Sequence, residues 1–334
     1  MRKFLLGLVC TWFLAWSAAA AAAPGQIIDT AEMEAAIARG AIVWDVRGGG
    51  AYRKGHIPGA VNAGNAAQVL RNPNTEDYLP LEKIEAILGG AGIDPAKEIV
   101  VYSTRGNPGA YFAHFTLRYF GADKARVYHE GIDGWRATGK ALATEATKLA
   151  PVALKLAPRP ELVASTEEVV AAAKGGEVQL VDARTLAEHT GNDIRAIRGG
   201  HIPGALAIPY EENWVDPETA AKVKKKLVKD NSGAALKQAG ALKALYAKLD
   251  PDKETIVYCQ SGVRAAETAT VLGSLGFSKV KVYDASWLGY AARLDAPANN
   301  EVFVNVGALR GEIRGLNARL DKMEAMLAKA LEKR

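Results

Sequence analysis

The chain has 334 residues, 49% of them hydrophobic and 24% charged, with a formal net charge of +5. That length exceeds one ordinary domain and suits two, each able to bury a core of its own. So mild a charge gives no footing for nucleic-acid or membrane-surface binding. No stretch beyond the N-terminus reaches the ~20 apolar residues of a membrane span.

At the N-terminus, Arg2 and Lys3 precede an apolar run from Phe4 to Trp16 and an alanine tract ending at Ala23. A positive region, a short apolar core and small residues make a cleaved export signal over residues 1–23, with the periplasm as destination and no stable membrane anchor afterwards. Cleavage would leave 40 basic and 37 acidic residues, a net charge of +3. The basic run Lys224-Lys225-Lys226 then reads as a solvated helix face. Cys10 would leave with the signal, so Cys259 would be the one cysteine in an oxidising compartment. It has no partner for an internal disulfide. It is either a reactive group or a buried inert thiol, and its neighbours decide which.

The sequence repeats itself. The first copy reads "AIVWDVRGGGAYRKGHIPGAVNA", "EIVVYSTRGNPGAY" and "ARVYHEGIDGW". The second reads "VQLVDARTLAEHTGNDIRAIRGGHIPGALAI", "TIVYCQSGVRAAE" and "VKVYDASWLGY". Ser103 and Cys259 share a slot, 156 residues apart. In chain order, Asp29 with Glu32 opens a helix by the spacing of a capping box, and Ser165 with Glu168 opens its counterpart. Short Val- and Ile-rich runs follow at Ala41–Val46, Ile99–Tyr102 and Arg126–Tyr128, then at Val178–Val181, Thr255–Tyr258 and Val280–Tyr283. They lack polar alternation, as strands buried on both faces do. Helical patterns such as Leu81–Leu88 and Ala241–Leu249 lie between them, so each copy is expected to be an α/β unit with a parallel sheet.

Between the copies, "TEATKLAPVALKLAPRPEL" has three prolines and no period, and reads as a linker able to extend a sheet edge. The second copy is longer. His56 to Ser103 spans 47 residues and His201 to Cys259 spans 58, the excess holding Trp214 and the lysine run. From Glu301 the pattern changes. Val306, Leu309, Ile313, Leu316, Leu320, Met323, Leu327 and Ala330 step by three and four alternately, an a/d heptad seam. Arg319 and Glu324 fall at g and the following e, where parallel strands attract. The expectation is a homo-oligomer through residues 301–334, against an amphipathic helix packed on its own domain.

The chemistry sits in "IVYCQSGVRAAETA". An apolar strand ends at Tyr258, Cys259 follows, and a helix begins near Arg264. Inward-facing amides and the helix dipole stabilise a thiolate there. Gly262 permits a tight turn, and Arg264 supplies a cation at the rim. The loop Cys259, Gln260, Ser261, Gly262, Val263 and Arg264 therefore reads as a nucleophile site.

Cys-x-x-Gly-x-Arg after a strand, preceded by Gly-His-Ile-Pro-Gly-Ala and followed by Tyr-Asp-x-Ser-Trp, resembles the rhodanese (sulfurtransferase) family. The likeness covers about residues 25–300, in the arrangement of tandem members of the thiosulfate and 3-mercaptopyruvate type. It implies two rhodanese-like parallel-sheet α/β domains in tandem: residues 25–145, a linker at 146–160, and residues 161–300, with a coiled-coil helix at 301–334. It further implies a degenerate first copy and an active second. A six-residue loop is the length used by sulfur-transferring members, while related phosphatases and arsenate reductases use one residue more. The implied reaction is attack of Cys259 on the outer sulfur of thiosulfate or a polysulfide. The resulting persulfide, bound in the loop, then passes its sulfur to a thiol or a cyanide-like acceptor, with no metal or other cofactor. By resemblance Asp182 and Arg184 organise the site, and a structural ion pair is the equal alternative. His201 reads as a turn residue, because the copy with Ser103 keeps His56. In that copy Pro108 stands at the slot of Arg264. A sulfur carrier or anion-binding scaffold working with a partner protein is the second functional reading.

Overall fold

The computed structural model describes residues 25–331; the proposed export signal lies outside them. The first copy runs β1 (Ile27–Ile28), α1 (Thr30–Ala38), β2 (Ile42–Asp45), α2 (Gly49–Arg53), α3 (Ala66–Val69), α4 (Leu81–Gly90), β3 (Ile99–Tyr102), α5 (Pro108–Tyr119), β4 (Ala125–Tyr128) and α6 (Gly131–Ala137). Its strands pair in parallel in the order β1-β4-β3-β2. β2, β3 and β4 are buried along their whole length, as their unalternating Val and Ile required. Asp29 caps α1 by accepting the Glu32 amide at 2.8 Å. The expected reciprocal bond is absent, because the Glu32 carboxylate turns to Arg39 and Arg126 instead.

The second copy runs α7 (Thr166–Ala173), β5 (Gln179–Asp182), α8 (Leu186–His189), β6 (Arg198–His201), β7 (Leu206–Ala207), α9 (Thr219–Lys224), α10 (Ala239–Leu245), β8 (Thr255–Tyr258), α11 (Val263–Ser274), β9 (Val280–Val282), α12 (Ser286–Ala292) and β10 (Asn299–Phe303). The parallel order is β7-β5-β8-β9. Ser165 and Glu168 form a complete capping box on α7. The extra length before Cys259 folds as α9 and short 3-10 turns, while α10 takes the place of α4.

Two expectations change. The interdomain run is not a sheet edge; it straps α4. The Val152 amide donates to the Gly89 carbonyl at 2.9 Å, and Leu156 is buried. A Cβ on Gly89 would stand 2.3 Å from the Val152 carbonyl oxygen, so only glycine admits the strap. The tail also does not begin as helix at Glu301. Residues 299–303 form β10, antiparallel to β6, with Arg198 gripping Glu301 at 2.5 Å. Helix α13 (Val306–Leu331) starts after Asn305, whose side chain accepts the Ala308 amide. All of α13 is exposed.

Helices α5 and α11, each following its copy's key loop, pack against each other at the centre of the chain. Phe112, Ala113 and Leu117 join Ala266, Val271 and Leu272 in one shared core. Full burial of a Phe or Leu contributes roughly 1.5–3 kcal/mol. This packing sets both loops against the opposite domain.

Candidate active site

Cys259 follows β8 directly and is 1% exposed. Its loop closes on one hydroxyl. The amides of Cys259 and Gly262 both donate to Ser286 Oγ at 3.0 Å, and Oγ donates to the Tyr283 carbonyl at 2.7 Å. Ser286 Oγ lies 4.0 Å from Cys259 Sγ. Ser286 reaches this place only at φ +49°, a left-handed conformation that side chains avoid; the first copy puts Gly131 there at φ +55°. Gly262 sits at φ +82°, and a Cβ on it would meet Asp284 Oδ1 at 2.4 Å. Both the turn and the close approach therefore need glycine. Helix α11 starts at the next residue, so its free amides end at the loop.

Arg264 does not stand free at the rim. Its guanidinium grips Glu188 with two bonds of 2.7 and 2.8 Å, and Glu188 is 1% exposed. Burial pushes the Glu188 carboxyl up, but the Arg264 bonds outweigh it and hold it at about 2. Burial likewise opposes the Arg264 charge, and Glu188 with nearby Cys259 overrides it. Glu188 also makes the capping box of α8 with Thr185. Gln260 ties the loop to the Arg195 carbonyl at 2.8 Å.

Asp182 and Arg184 form a fully buried pair at 2.6 Å beneath the site. Arg184 also reaches the Gly200 carbonyl and lies 4.6 Å from the Trp287 ring centre. Burial raises the Asp182 carboxyl, but bonds from His189 and Arg184 hold it at about 2. The first copy repeats the arrangement. Asp45 pairs with Arg47 at 2.5 Å, Arg47 reaches Gly55, and Tyr102 bonds Asp45 as Tyr258 bonds Asp182. The copy without a thiol keeps this device, as the structural ion-pair reading requires, though Tyr52 stands where His189 bonds Asp182 and turns to the Ala60 carbonyl instead. His201 belongs to the same device. It stacks on His189 at 3.6 Å as His56 stacks on Tyr52 at 3.7 Å, and bonds the His189 carbonyl.

Trp214 is buried, donating to Glu267 at 2.9 Å. It closes the other copy's loop. A Cβ on Gly106 would meet Ala234 at 2.6 Å and the Trp214 ring at 3.2 Å. His129 bonds the Ala234 carbonyl, and Asn231 donates to the Arg105 carbonyl. The insertion of the second domain thus seals the loop around Ser103.

A family model, the rhodanese-like domain, matches residues 29–138 and again residues 165–293. This chain belongs to the rhodanese family. Among curated relatives of this rhodanese, the thiosulfate sulfurtransferase of Corynebacterium glutamicum is 31% identical over 259 residues, covering 74% of this chain and 80% of that one. The thiosulfate sulfurtransferase of Azotobacter vinelandii is 29% identical over 275 residues, covering 81% and 96%. The crystal structure of SseA from Escherichia coli, of the 3-mercaptopyruvate sulfotransferase group, superposes with a TM-score of 0.64 at 27% identity, over 79% of this chain and 99% of that one. The rhodanese described here is a tandem-domain sulfurtransferase.

Sequence reasoning on this rhodanese reached Cys259, the loop after it, Asp182 and Arg184. It missed Glu188, His189, Ser286 and Arg71. The internal repeat held a signal for two of them. Where Arg264 becomes Pro108, Glu188 becomes Ala51; where Cys259 becomes Ser103, Ser286 becomes Gly131. Arg71 sits in the first domain, yet it contacts Ser261 and Asp284 across the interface. A cavity of about 350 Å³ opens there, lined by Arg71, Glu76, Asp77, Ser261, Asp284 and Leu288 among others.

Proposed function

We propose that this sulfurtransferase moves sulfane sulfur from thiosulfate or a polysulfide to a thiophilic acceptor through a persulfide on Cys259. The observation that carries this reading is the placement of Cys259 at a strand end, inside a glycine-turned loop at the start of α11. The thiolate attacks the outer sulfur of thiosulfate, the S–S bond breaks, and sulfite leaves with the electron pair. The Cys259 persulfide then yields that sulfur to the acceptor, and the thiolate returns. A free helix N-terminus favours the anion at each stage. Burial of Cys259 keeps the persulfide from solvent.

The test is the mass of purified protein after treatment with thiosulfate, polysulfide or 3-mercaptopyruvate, beside Cys259→Ala, with thiocyanate release from cyanide measured in parallel. One added sulfur in the wild type alone, with turnover, supports the reading. Sulfur gain released only to a partner protein would make the molecule a carrier. No gain from any donor would overturn both.

Two further parts of the proposal concern place and assembly. Export to the periplasm rests on Arg2, Lys3 and the apolar and alanine runs behind them, and is tested by cell fractionation with N-terminal sequencing of the mature chain. Self-association through α13 rests on its uncovered seam. Leu309, Ile313, Leu316, Leu320, Met323 and Leu327 are all exposed, and the Arg319 and Glu324 positions complement each other between parallel copies.

A further inference from the structure

The first domain has lost the thiol, yet it sends one charged side chain into the active loop of the second. Arg71 follows α3, and its side chain is 2% exposed. Nη1 donates to the Ser261 carbonyl at 2.7 Å, and Nη2 meets Asp284 Oδ2 at 3.2 Å. The guanidinium is held from behind by the rings of Phe112 at 5.0 Å and Tyr78 at 5.7 Å. Its two partners flank the loop. Ser261 is two residues past Cys259, and Asp284 is the group against which Gly262 turns.

A peptide unit is planar and trans, so fixing its carbonyl fixes its N–H on the opposite side. Arg71 holds the Ser261 carbonyl outward. The N–H of the same peptide unit, that of Gly262, therefore points inward, where it donates to Ser286 Oγ beside Cys259 Sγ. Rotating that unit would bring a carbonyl dipole toward the sulfur and repel a thiolate. The degenerate copy supports this as a built feature. There the equivalent carbonyl, that of Arg105, is also held outward by a side chain of the other domain, Asn231 at 3.0 Å.

We propose that Arg71 is a positioning residue for sulfur transfer: by holding the Ser261–Gly262 peptide plane from the neighbouring domain, it keeps the loop amide turned toward the Cys259 side. The inference rests on Cys259 as the sulfur-carrying group, and gives the first domain a part in the second domain's chemistry.

The experiment compares wild type, Arg71→Ala and Arg71→Lys in the full chain. It reads turnover, the donor KM, and the rate of Cys259 alkylation by iodoacetamide at neutral pH, all per native thiol. Expected for Arg71→Ala is a fall in kcat of about tenfold, less than the roughly 10²–10³ of deleting an oxyanion-hole donor because the amide is released rather than removed, with donor KM changed less than about twofold. Alkylation should slow in step. Arg71→Lys, which can donate to Ser261 but lacks the fork that also spans Asp284, should recover part of both. Wild-type kcat and alkylation in Arg71→Ala would overturn the proposal. So would an equal loss in a folded Arg71→Lys protein with KM raised instead of kcat lowered. Alkylation does not require sulfur transfer, so a wild type that takes up no sulfur would refute the persulfide reading while this test still reads the loop.

Discussion

Glu188→Gln is the perturbation whose size the structure fixes best. The carboxylate is 1% exposed and its partner Arg264 14% exposed on the side chain, so solvent screens the pair little. The Glu188 carboxyl is held at about 2 against an ordinary 4.5, in spite of the opposing pull of burial. At 1.36 kcal/mol for each tenfold, that preference for the folded, ionised form is about 3 kcal/mol at neutral pH. A second route agrees: removing one partner of a buried pair costs about 3–5 kcal/mol because it strands the other charge. The sign follows from a depressed carboxyl. Its contribution is present above about 4.5 and disappears as the pH falls toward 2. Urea unfolding followed by tryptophan fluorescence, from pH 7 down to pH 3, gives both quantities. Glu188→Gln should be about 3 kcal/mol less stable at pH 7, and the gap to wild type should narrow steadily below pH 4.5. A variant within about 1 kcal/mol of wild type at pH 7, or a gap constant with pH, would refute the reasoning.

Other changes bear on the same loop and on the tail. Ser286→Ala keeps the left-handed backbone strain but orphans the amides of Cys259 and Gly262, so it should lower stability by about 2–4 kcal/mol, judged from the cost of unsatisfied buried donors. Ser286→Gly removes the strain as well and should lose about 1 kcal/mol less, read as a smaller drop in urea midpoint. Ser103→Cys in a Cys259→Ala background should take up no sulfur by mass spectrometry, because Ala234 and Trp214 cover that loop. Leu316→Lys with Leu320→Lys should reduce the mass in sedimentation equilibrium to that of one chain while thiosulfate turnover stays at the wild-type level.

What the sequence made legible follows from period and order. Unbroken apolar runs marked three parallel strands in each copy, β2, β3 and β4 and then β5, β8 and β9, but not the two-residue β1 and β7, too short to carry a pattern; the repeat alone set Ser103 against Cys259. Two things stayed hidden for a physical reason. The first is direction: Arg264 reads as a free cation until Glu188, 76 residues away, is seen to neutralise it. The second is partnership across domains: nothing local to Arg71 announces a carbonyl 190 residues downstream. The strand at 299–303 was missed because its side chains are exposed and carry no alternation; only its pairing with β6 defines it.

The two loops are each closed by the other domain, Ser261 by Arg71 and Arg105 by Asn231 with Ala234 over Gly106. Neither half is therefore complete without its neighbour. The chain is built like a heterodimer written in one polypeptide, in which the half without a thiol serves as a fixed subunit against which the working half rests.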